Sequence, residues 1–173
     1  PTQGERMVVF PHTYHVDKDF NPYRDVIKKG ESKPHGNMLY HIDRIANNLK
    51  DNHASMNDSV RLVHLYLIIH GIGDMHCPMH AGRKGDRGGN GTQVQFFGKS
   101  IKLHSLWDSE IVESAHRWSY SEWGSQVDRV SKREKKTIVI GGVAAWIEES
   151  VALASDVYEN SVGAGNLSYE YVA

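Results

Sequence analysis

The sequence has little cysteine and almost no net charge. Its 173 residues include one cysteine, Cys77, which excludes an intrachain disulfide, a cysteine zinc finger and a redox CxxC pair. Twenty basic and 21 acidic residues leave a formal charge of -1, so no general electrostatic field attracts a nucleic acid or a membrane surface. A polyanion would have to be held locally, and a metal ion would have to be bound by imidazole and carboxylate groups.

The sequence also has no long hydrophobic run. The longest apolar stretch, near residues 138–147, is about half of the ~20 residues that a membrane helix needs, so no membrane span is predicted. The chain begins with Pro1 and shows no charged segment followed by an apolar one, which indicates that a signal peptide is absent or already removed. With 39% hydrophobic and 24% charged residues, the composition predicts about one globular domain.

Apolar residues recur at helical spacing over much of the chain, whereas residues 1–35 carry four of the five prolines and predict an irregular segment. A helix is also predicted at 103–117, and a weaker one at 123–130. Three further helices are predicted. The first has Leu39, Ile42, Ala46 and Leu49 on its buried face. The second has Val60, Val63, Leu67 and Ile68 on its buried face, is capped by Asn57 or Ser59 and runs towards Pro78, and the last has Trp146, Ser150, Leu153 and Val157 on one face.

The middle of the chain has a different pattern. Five glycines between residues 81 and 92 predict a loop. Val94 and Phe96 then alternate with polar residues, as do Ile101 and Leu103, which predicts a short β-hairpin. The predicted fold class is therefore all-α, a mostly helical single domain with one small β-hairpin.

Histidine is in excess, with 11 residues, and two short motifs pair it with aspartate. They are His70-Gly-Ile-Gly-Asp74 and His104-Ser-Leu-Trp-Asp108, whose spacing puts imidazole and carboxylate on one helix face, a turn apart. Zinc accepts nitrogen and carboxylate oxygen ligands at roughly 2.0–2.2 Å. His80 follows six residues after Asp74, just past a proline that can redirect the chain towards the same site.

One such pair alone is more often a surface ion pair worth a few tenths of a kcal/mol. Two pairs with a histidine between them favour metal binding, because their apolar neighbours predict burial and a buried, unpaired carboxylate costs several kcal/mol that a cation would offset. Arg83, Lys84 and Arg87 follow closely. They either reach a phosphate held by the metals or are solvated loop cations.

These motifs resemble the zinc-dependent single-strand-specific nucleases and 3′-nucleotidases of the mung bean nuclease type, in the phospholipase C/nuclease superfamily. The similarity covers residues 70–80, Gly-Asp-Arg-Gly-Gly-Asn at 85–90 and Leu-His-Ser-Leu-Trp-Asp-Ser at 103–109. It continues more weakly through 146–158 and at Tyr14-His15. The resemblance implies a phospholipase C/nuclease-like helical fold, cleavage of phosphodiesters to leave 5′-phosphates, and a secreted or periplasmic location.

The resemblance also implies a set of metal ligands. Asp74 would bridge to a third zinc and serve as the catalytic carboxylate. Clustered zinc ions would lower the pKa of a shared water, giving a hydroxide near neutral pH, and would clamp the attacking and leaving oxygens. The implied ligands are His15, His70 and Asp74 for one zinc and His80, His104 and Asp108 for another.

The family's third zinc uses an N-terminal tryptophan, a histidine and an aspartate that have no counterpart in this sequence. We therefore expect 1–173 to be one zinc-dependent nuclease-like domain without the family's N- and C-terminal segments. Two zinc sites are expected from this chain, and a third only with the missing N-terminal ligands.

The sequence thus predicts a zinc-dependent endonuclease that cleaves single-stranded DNA, RNA and 3′-nucleotides. One alternative is a zinc phospholipase C acting on phospholipid head groups, and another is a non-catalytic, metal-stabilised helical domain. The substrate-binding residues stay open, because Val16 follows His15 where relatives with a base-stacking pocket have an aromatic ring. Tyr14 and Phe20 are the alternatives. The expected partner is a single-stranded nucleic acid or nucleotide, and no oligomeric state is predicted.

Overall fold

The structure is a computed structural model that describes residues 38–172. It is mostly helical with a small sheet, which confirms the predicted all-α class. The strands are β1 Gln93–Phe96, β2 Lys99–Lys102 and β3 Asn166–Leu167. The helices are α1 Met38–Asn52, α2 Asp58–His76, α3 Leu103–Ser105, α4 Ile111–Ala115, α5 Tyr120–Val127, α6 Lys132–Ile138, α7 Gly142–Ser161 and α8 Tyr169–Val172. Short 3₁₀ turns cover Pro78–Ala81 and Lys84–Asp86, and a π-helical turn, Leu106–Glu110, joins α3 to α4.

The first two helices form where the apolar spacing predicts them. Asn57 caps α2, because its side chain accepts a hydrogen bond from the Ser59 backbone N–H at 2.8 Å, and α2 ends before Pro78. The predicted buried face of α2 is wrong at its start, since Val60 and Val63 are exposed. The buried positions of α2 lie near its C-terminal end. The C-terminal end of α2 therefore packs against the rest of the described fold, whereas its first turns do not.

The sheet contains the predicted hairpin and one strand more. Strands β1 and β2 pair antiparallel with Val94 opposite Ile101, and the two-residue β3 pairs parallel to β1. A pair of residues is too short to show a period in the sequence. Leu103 does not continue β2 as its alternation predicted, because it begins α3 and is fully buried.

Helix α7 is the longest helix described and its buried face differs in part from the prediction. Leu153, expected on that face, is 51% exposed. At 3.6 residues per turn the buried residues of α7 centre near Ala154 and Ser161, and Leu153 lies about 90° around the helix from that centre. The buried residues of α7 are Ile147, Ser150, Ala154, Val157, Tyr158 and Ser161.

Helix α7 contributes to both clusters of buried apolar residues. One cluster contains Ile147 of α7 with Ile42 and Met75. The other contains Val157 of α7 with Phe96 and with residues of α3 and the π-helical turn that follows it. We call α3 and this turn together, residues 103–110, the α3 segment. In addition, the Ser150 hydroxyl donates to the Met75 carbonyl at 2.5 Å. Helix α7 therefore holds the C-terminal end of α2, which bears the first histidine–aspartate pair, next to the α3 segment, which bears the second.

No single helix within residues 38–172 has the length and apolar character of a membrane-spanning helix. The pair α6 and α7 meets the length and composition test only when the two are taken together across a 76° bend.

Candidate metal centre

The first histidine–aspartate pair lies on the last turns of α2. His70 and Asp74 are four residues apart, and their Nε2 and Oδ2 atoms are 3.1 Å from each other. The Asp74 side chain is only 12% exposed, whereas that of His70 is 67% exposed. The helical spacing thus brings the two donor groups together, with the carboxylate on the inner side.

His80 reaches the same place because the chain turns sharply after α2. Cys77 is extended, and Pro78 begins the 3₁₀ turn that carries His80 into the interior, where it is 3% exposed. The Nδ1 atom of His80 is 3.7 Å from Asp74 Oδ2, and its Nε2 atom is 3.4 Å from Asp108 Oδ1. The buried imidazole therefore lies between two carboxylates that are 34 positions apart in the sequence.

The second pair belongs to the α3 segment. The His104 ring lies 4.9 Å from the His80 ring, measured between centroids, and its Nδ1 atom is 2.8 Å from the carbonyl oxygen of Gly88. A carbonyl only accepts hydrogen bonds, so Nδ1 carries the proton and Nε2 keeps the lone pair that a metal needs. Asp108 follows within the π-helical turn, a feature that often marks functional sites and that the regular helix predicted from the spacing does not contain.

The structure therefore gathers five of the six predicted ligands in one place. Asp74 and Asp108 each contact His80, while His70 contacts Asp74 and His104 packs against His80. His15 lies outside the described residues. We call His70, Asp74, His80, His104 and Asp108 the donor cluster.

Cys77 lies beside the donor cluster, and no metal-ligand motif in the sequence includes it. Its Sγ and ligand atoms of His80 and Asp108 all lie within 4.8 Å of one another. Burial raises the pKa of the Cys77 thiol to about 11, although hydrogen bonds from the Met79 and His80 backbone oppose the shift. The thiol is thus protonated at neutral pH without a cation beside it, while imidazole and carboxylate offer lone pairs directly. Its position three residues before His80 was the only signal in the sequence.

Comparison with known proteins places this arrangement in a family. A family model described as S1/P1 Nuclease matches residues 5–173. The chain belongs to the S1/P1 nuclease family. This confirms the resemblance and, with the helical architecture, the predicted phospholipase C/nuclease-like fold.

Individual relatives are similar over shorter stretches. Endonuclease 2 of Arabidopsis thaliana is 33% identical over 89 residues, which are 42% of this chain and 31% of that protein. Endonuclease 4 of the same plant is 41% identical over 58 residues, 34% of this chain and 19% of that protein. Nuclease S1 of Aspergillus oryzae is 35% identical over 95 residues, 54% of this chain and 33% of that protein. The aligned stretches thus span a third or less of these relatives.

In this member of the S1/P1 nuclease family, a hydrogen-bonded loop holds the His104 ring in its orientation. Asp86 accepts hydrogen bonds from the Thr92 hydroxyl at 2.6 Å, from the Gly89 backbone N–H at 3.0 Å and from the Tyr158 hydroxyl at 2.8 and 2.9 Å. Gly88, whose carbonyl accepts from His104, lies between these anchors. The Asp86 carboxylate therefore ties the glycine loop to α7 and fixes the acceptor that orients the His104 ring.

The groups around Asp86 also set the pKa of its carboxyl group. Burial alone would raise its pKa, but hydrogen bonds from Thr92, Gly89 and Tyr158 and the charge of Arg83 outweigh burial, so the pKa of Asp86 is below its ordinary value. Arg83 lies over the Tyr158 ring, with its guanidinium carbon 4.3 Å from the ring centroid. Arg83 is therefore partly buried against Tyr158 and is not a freely solvated loop cation. Its contact with a phosphate stays a prediction.

Replacement of Tyr158 by phenylalanine tests this support. Tyr158→Phe keeps the ring beneath Arg83 and removes only the hydroxyl, so we expect the free energy of unfolding at pH 7 to fall by about 1.5–3 kcal/mol, as for a hydrogen bond to a charged group. A carboxyl with a lowered pKa stabilises the fold above its ordinary pKa of 3.8 and loses that contribution as the pH falls through its folded pKa. The difference between variant and wild type should therefore shrink in acid.

Urea denaturation at pH 7 and at successively lower pH values measures this difference. Tyr169→Phe, on the exposed ring of α8, is the matched control and should change stability by less than about 0.5 kcal/mol. A difference for Tyr158→Phe that is absent at pH 7, or that grows in acid, contradicts the assignment.

Proposed function

We propose that the protein is a zinc-dependent phosphodiester hydrolase, an endonuclease that cleaves single-stranded DNA, RNA and 3′-nucleotides and leaves 5′-phosphates. One observation carries this proposal: buried His80 lies between Asp74 and Asp108, with His70 and His104 beside them. Three separate segments of the chain deliver imidazole and carboxylate groups to this one place. Membership of the S1/P1 nuclease family supports the same reaction class.

The donor cluster fits divalent zinc by its chemistry. It offers three imidazoles and two carboxylates, which are the nitrogen and oxygen ligands that zinc prefers. His104 has its tautomer set by the Gly88 carbonyl, as is common for metal-bound histidine. The Asp74 carboxylate is only 12% exposed, burial disfavours its charge, and a dication would offset that cost. We therefore assign His70, Asp74, His80, His104 and Asp108, together with His15, as zinc ligands.

When bound, zinc lowers the pKa of a water molecule and neutralises charge on the phosphate. The chain's own residues position that chemistry. Asp74 lies next to both His70 and His80, so its carboxylate belongs to both halves of the donor cluster and is placed to accept the proton of the attacking water. His80 has a carboxylate at each nitrogen. One nitrogen is thus available to a cation while the other donates a hydrogen bond that fixes the ring.

We further infer that the chain acts as one nuclease-like domain, which is supported by the contribution of α7 to both apolar clusters. A secreted or periplasmic location follows from the same resemblance. The expected partner is a single-stranded nucleic acid or a nucleotide, and two zinc ions are expected from the ligands of this chain.

Hydrolysis assays test the proposal. The protein is incubated with single-stranded and double-stranded DNA, RNA and 3′-AMP, with and without a chelator, and its metal content is measured by plasma mass spectrometry. We expect cleavage of the single strands, release of phosphate from 3′-AMP, loss of both with the chelator and recovery with zinc. Hydrolysis that the chelator leaves unchanged, or no hydrolysis by zinc-loaded protein, contradicts the proposal.

The two alternatives give different results in the same assays. Release of phosphocholine from lipid vesicles in preference to nucleotide turnover indicates the phospholipase C. Bound zinc that raises the melting temperature without hydrolysis of any substrate indicates a structural metal centre.

A further inference from the structure

A cavity opens beside the donor cluster and has had no role in the site described so far. It has a volume of about 810 Å³, and Asp108 forms part of its wall. The rest of the wall comes from Ser109 in the π-helical turn, from α4, from the turn that follows α4 and from the start of α5. A cavity of this size accepts a ligand of nucleotide dimensions, and Asp108 makes it continuous with the proposed reaction centre.

Three aromatic rings in contact with one another form one wall of this cavity. The rings of His116 and Trp118 are parallel within 2° and 3.9 Å apart, and Trp123 packs edge-on against both. His116 is exposed, while Trp118 and Trp123 are partly buried. Trp118 therefore covers one face of the His116 ring, Trp123 packs against both rings, and His116 stays exposed to solvent. We call His116, Trp118 and Trp123 the aromatic platform, which no motif in the sequence predicts.

The charged side chains around the aromatic platform favour a phosphate at one position and a base at another. Arg117 lines the cavity and offers a guanidinium group that binds phosphate. Glu113 also lines it and repels phosphate, but a carboxylate accepts hydrogen bonds from the N–H groups of an unpaired base, thymine N3–H included. The arrangement therefore suits a nucleotide whose base lies on the platform and whose phosphate lies by Arg117.

We propose that the aromatic platform is a base-stacking subsite that holds a nucleotide flanking the scissile phosphate of a single-stranded nucleic acid. This inference rests on the proposed function. The eight positions from Asp108 to His116 correspond to roughly 12 Å of helix, which a short piece of single strand bridges. The subsite is separate from the position after His15, where the resemblance implies an aromatic ring.

The aromatic platform also gives a physical reason for a preference for single strands. A base can lie on an aromatic side chain only when its own face is free. In a duplex both faces of an internal base are covered by neighbouring bases. The platform therefore binds unpaired nucleotides and contributes little to the binding of duplex DNA.

Binding measurements on variants test this subsite apart from catalysis. Binding is measured for the protein and for the variants His116→Ala and His116→Phe. The control is Tyr169→Ala, which removes an exposed ring outside the cavity wall. Each protein is titrated against fluorescent phosphorothioate oligonucleotides, whose cleavage is slow. The oligonucleotides are a short oligothymidylate, an abasic chain of the same length and a duplex. Because stacking on an aromatic ring is worth a factor of roughly 5 to 150 per base, His116→Ala should raise the Kd for oligothymidylate by that factor.

The same variant should leave the Kd for the abasic chain and for the duplex unchanged. His116→Phe, which keeps a flat ring, should retain most of the affinity, and Tyr169→Ala should bind as the wild type does. Thermal melting shows that His116→Ala is folded, and Trp118→Phe, which keeps a ring behind His116, gives a second, milder variant. An unchanged Kd for oligothymidylate in His116→Ala, or equal wild-type binding of abasic and base-bearing chains, overturns the inference. These outcomes do not depend on hydrolysis, whose loss would instead refute the proposed function.

Discussion

Replacement of His80 by alanine is expected to reduce phosphodiester hydrolysis by at least roughly 100-fold. Loss of a residue that merely orients a metal ligand typically costs about 10- to 100-fold in metal affinity or activity, and His80 is assigned as a ligand itself. Its imidazole is also the group that separates Asp74 from Asp108. Without it, the donor cluster loses a nitrogen donor that contacts both carboxylates, which weakens zinc binding.

The measurements for His80→Ala are the initial rate on single-stranded DNA at saturating zinc and the bound zinc per chain. We expect a loss of zinc together with the loss of rate. His53→Ala is the matched control, because His53 is exposed near the end of α1 and is not part of the donor cluster. Full activity and full zinc content in His80→Ala would show that the cluster is not the reaction centre.

Replacement of Gly88 by alanine is expected to destabilise the protein by about 3 kcal/mol or more, the range of a severe backbone substitution. Gly88 has a φ of +62°, which side chains other than glycine rarely adopt. A Cβ atom there would also come closer than 3.0 Å to the Met79 carbonyl oxygen. Backbone atoms cannot move aside as a flexible side chain can, so the loop itself must shift.

A shift of this loop reaches the donor cluster in two ways. The Gly88 carbonyl orients the His104 ring, and Met79 directly precedes His80 in the 3₁₀ turn. We therefore expect Gly88→Ala to lower both the melting temperature and the zinc content, as measured by calorimetry and metal analysis. Gly85→Ala in the same loop is the control, because nothing lies within 4 Å of its added Cβ. Equal stability of the two variants would contradict this account of the loop.

Much of the helical fold follows from local spacing. The cap at Asn57, the end of α2 before Pro78 and the hairpin at Val94 to Ile101 were all predicted correctly, because each depends on neighbouring residues only. The errors have a common cause. Val60, Val63 and Leu153 are apolar at helical spacing but exposed, since spacing shows which residues share a face and not which face another element covers.

The candidate metal centre could also be predicted only in part from the sequence. The two histidine–aspartate pairs were visible in the sequence, and so was the possibility that a turn at Pro78 redirects His80. The contribution of Asp86 was not visible, because its partner Tyr158 lies 72 positions away. The aromatic platform was also missed, since the sequence does not show that His116 stacks on Trp118.

The amino-acid sequence by itself determined the type and spacing of the metal-binding groups, the helices that carry them and the absence of any intrachain disulfide. The tertiary structure alone decided that His80 lies between two distant carboxylates, that Gly88 presents its carbonyl to His104, and that a cavity with stacked rings opens beside Asp108. The physical reason is that spacing within a helix depends on a repeat of 3.6 residues. Convergence depends on which buried faces pack together, and here α7 brings the end of α2 next to the α3 segment.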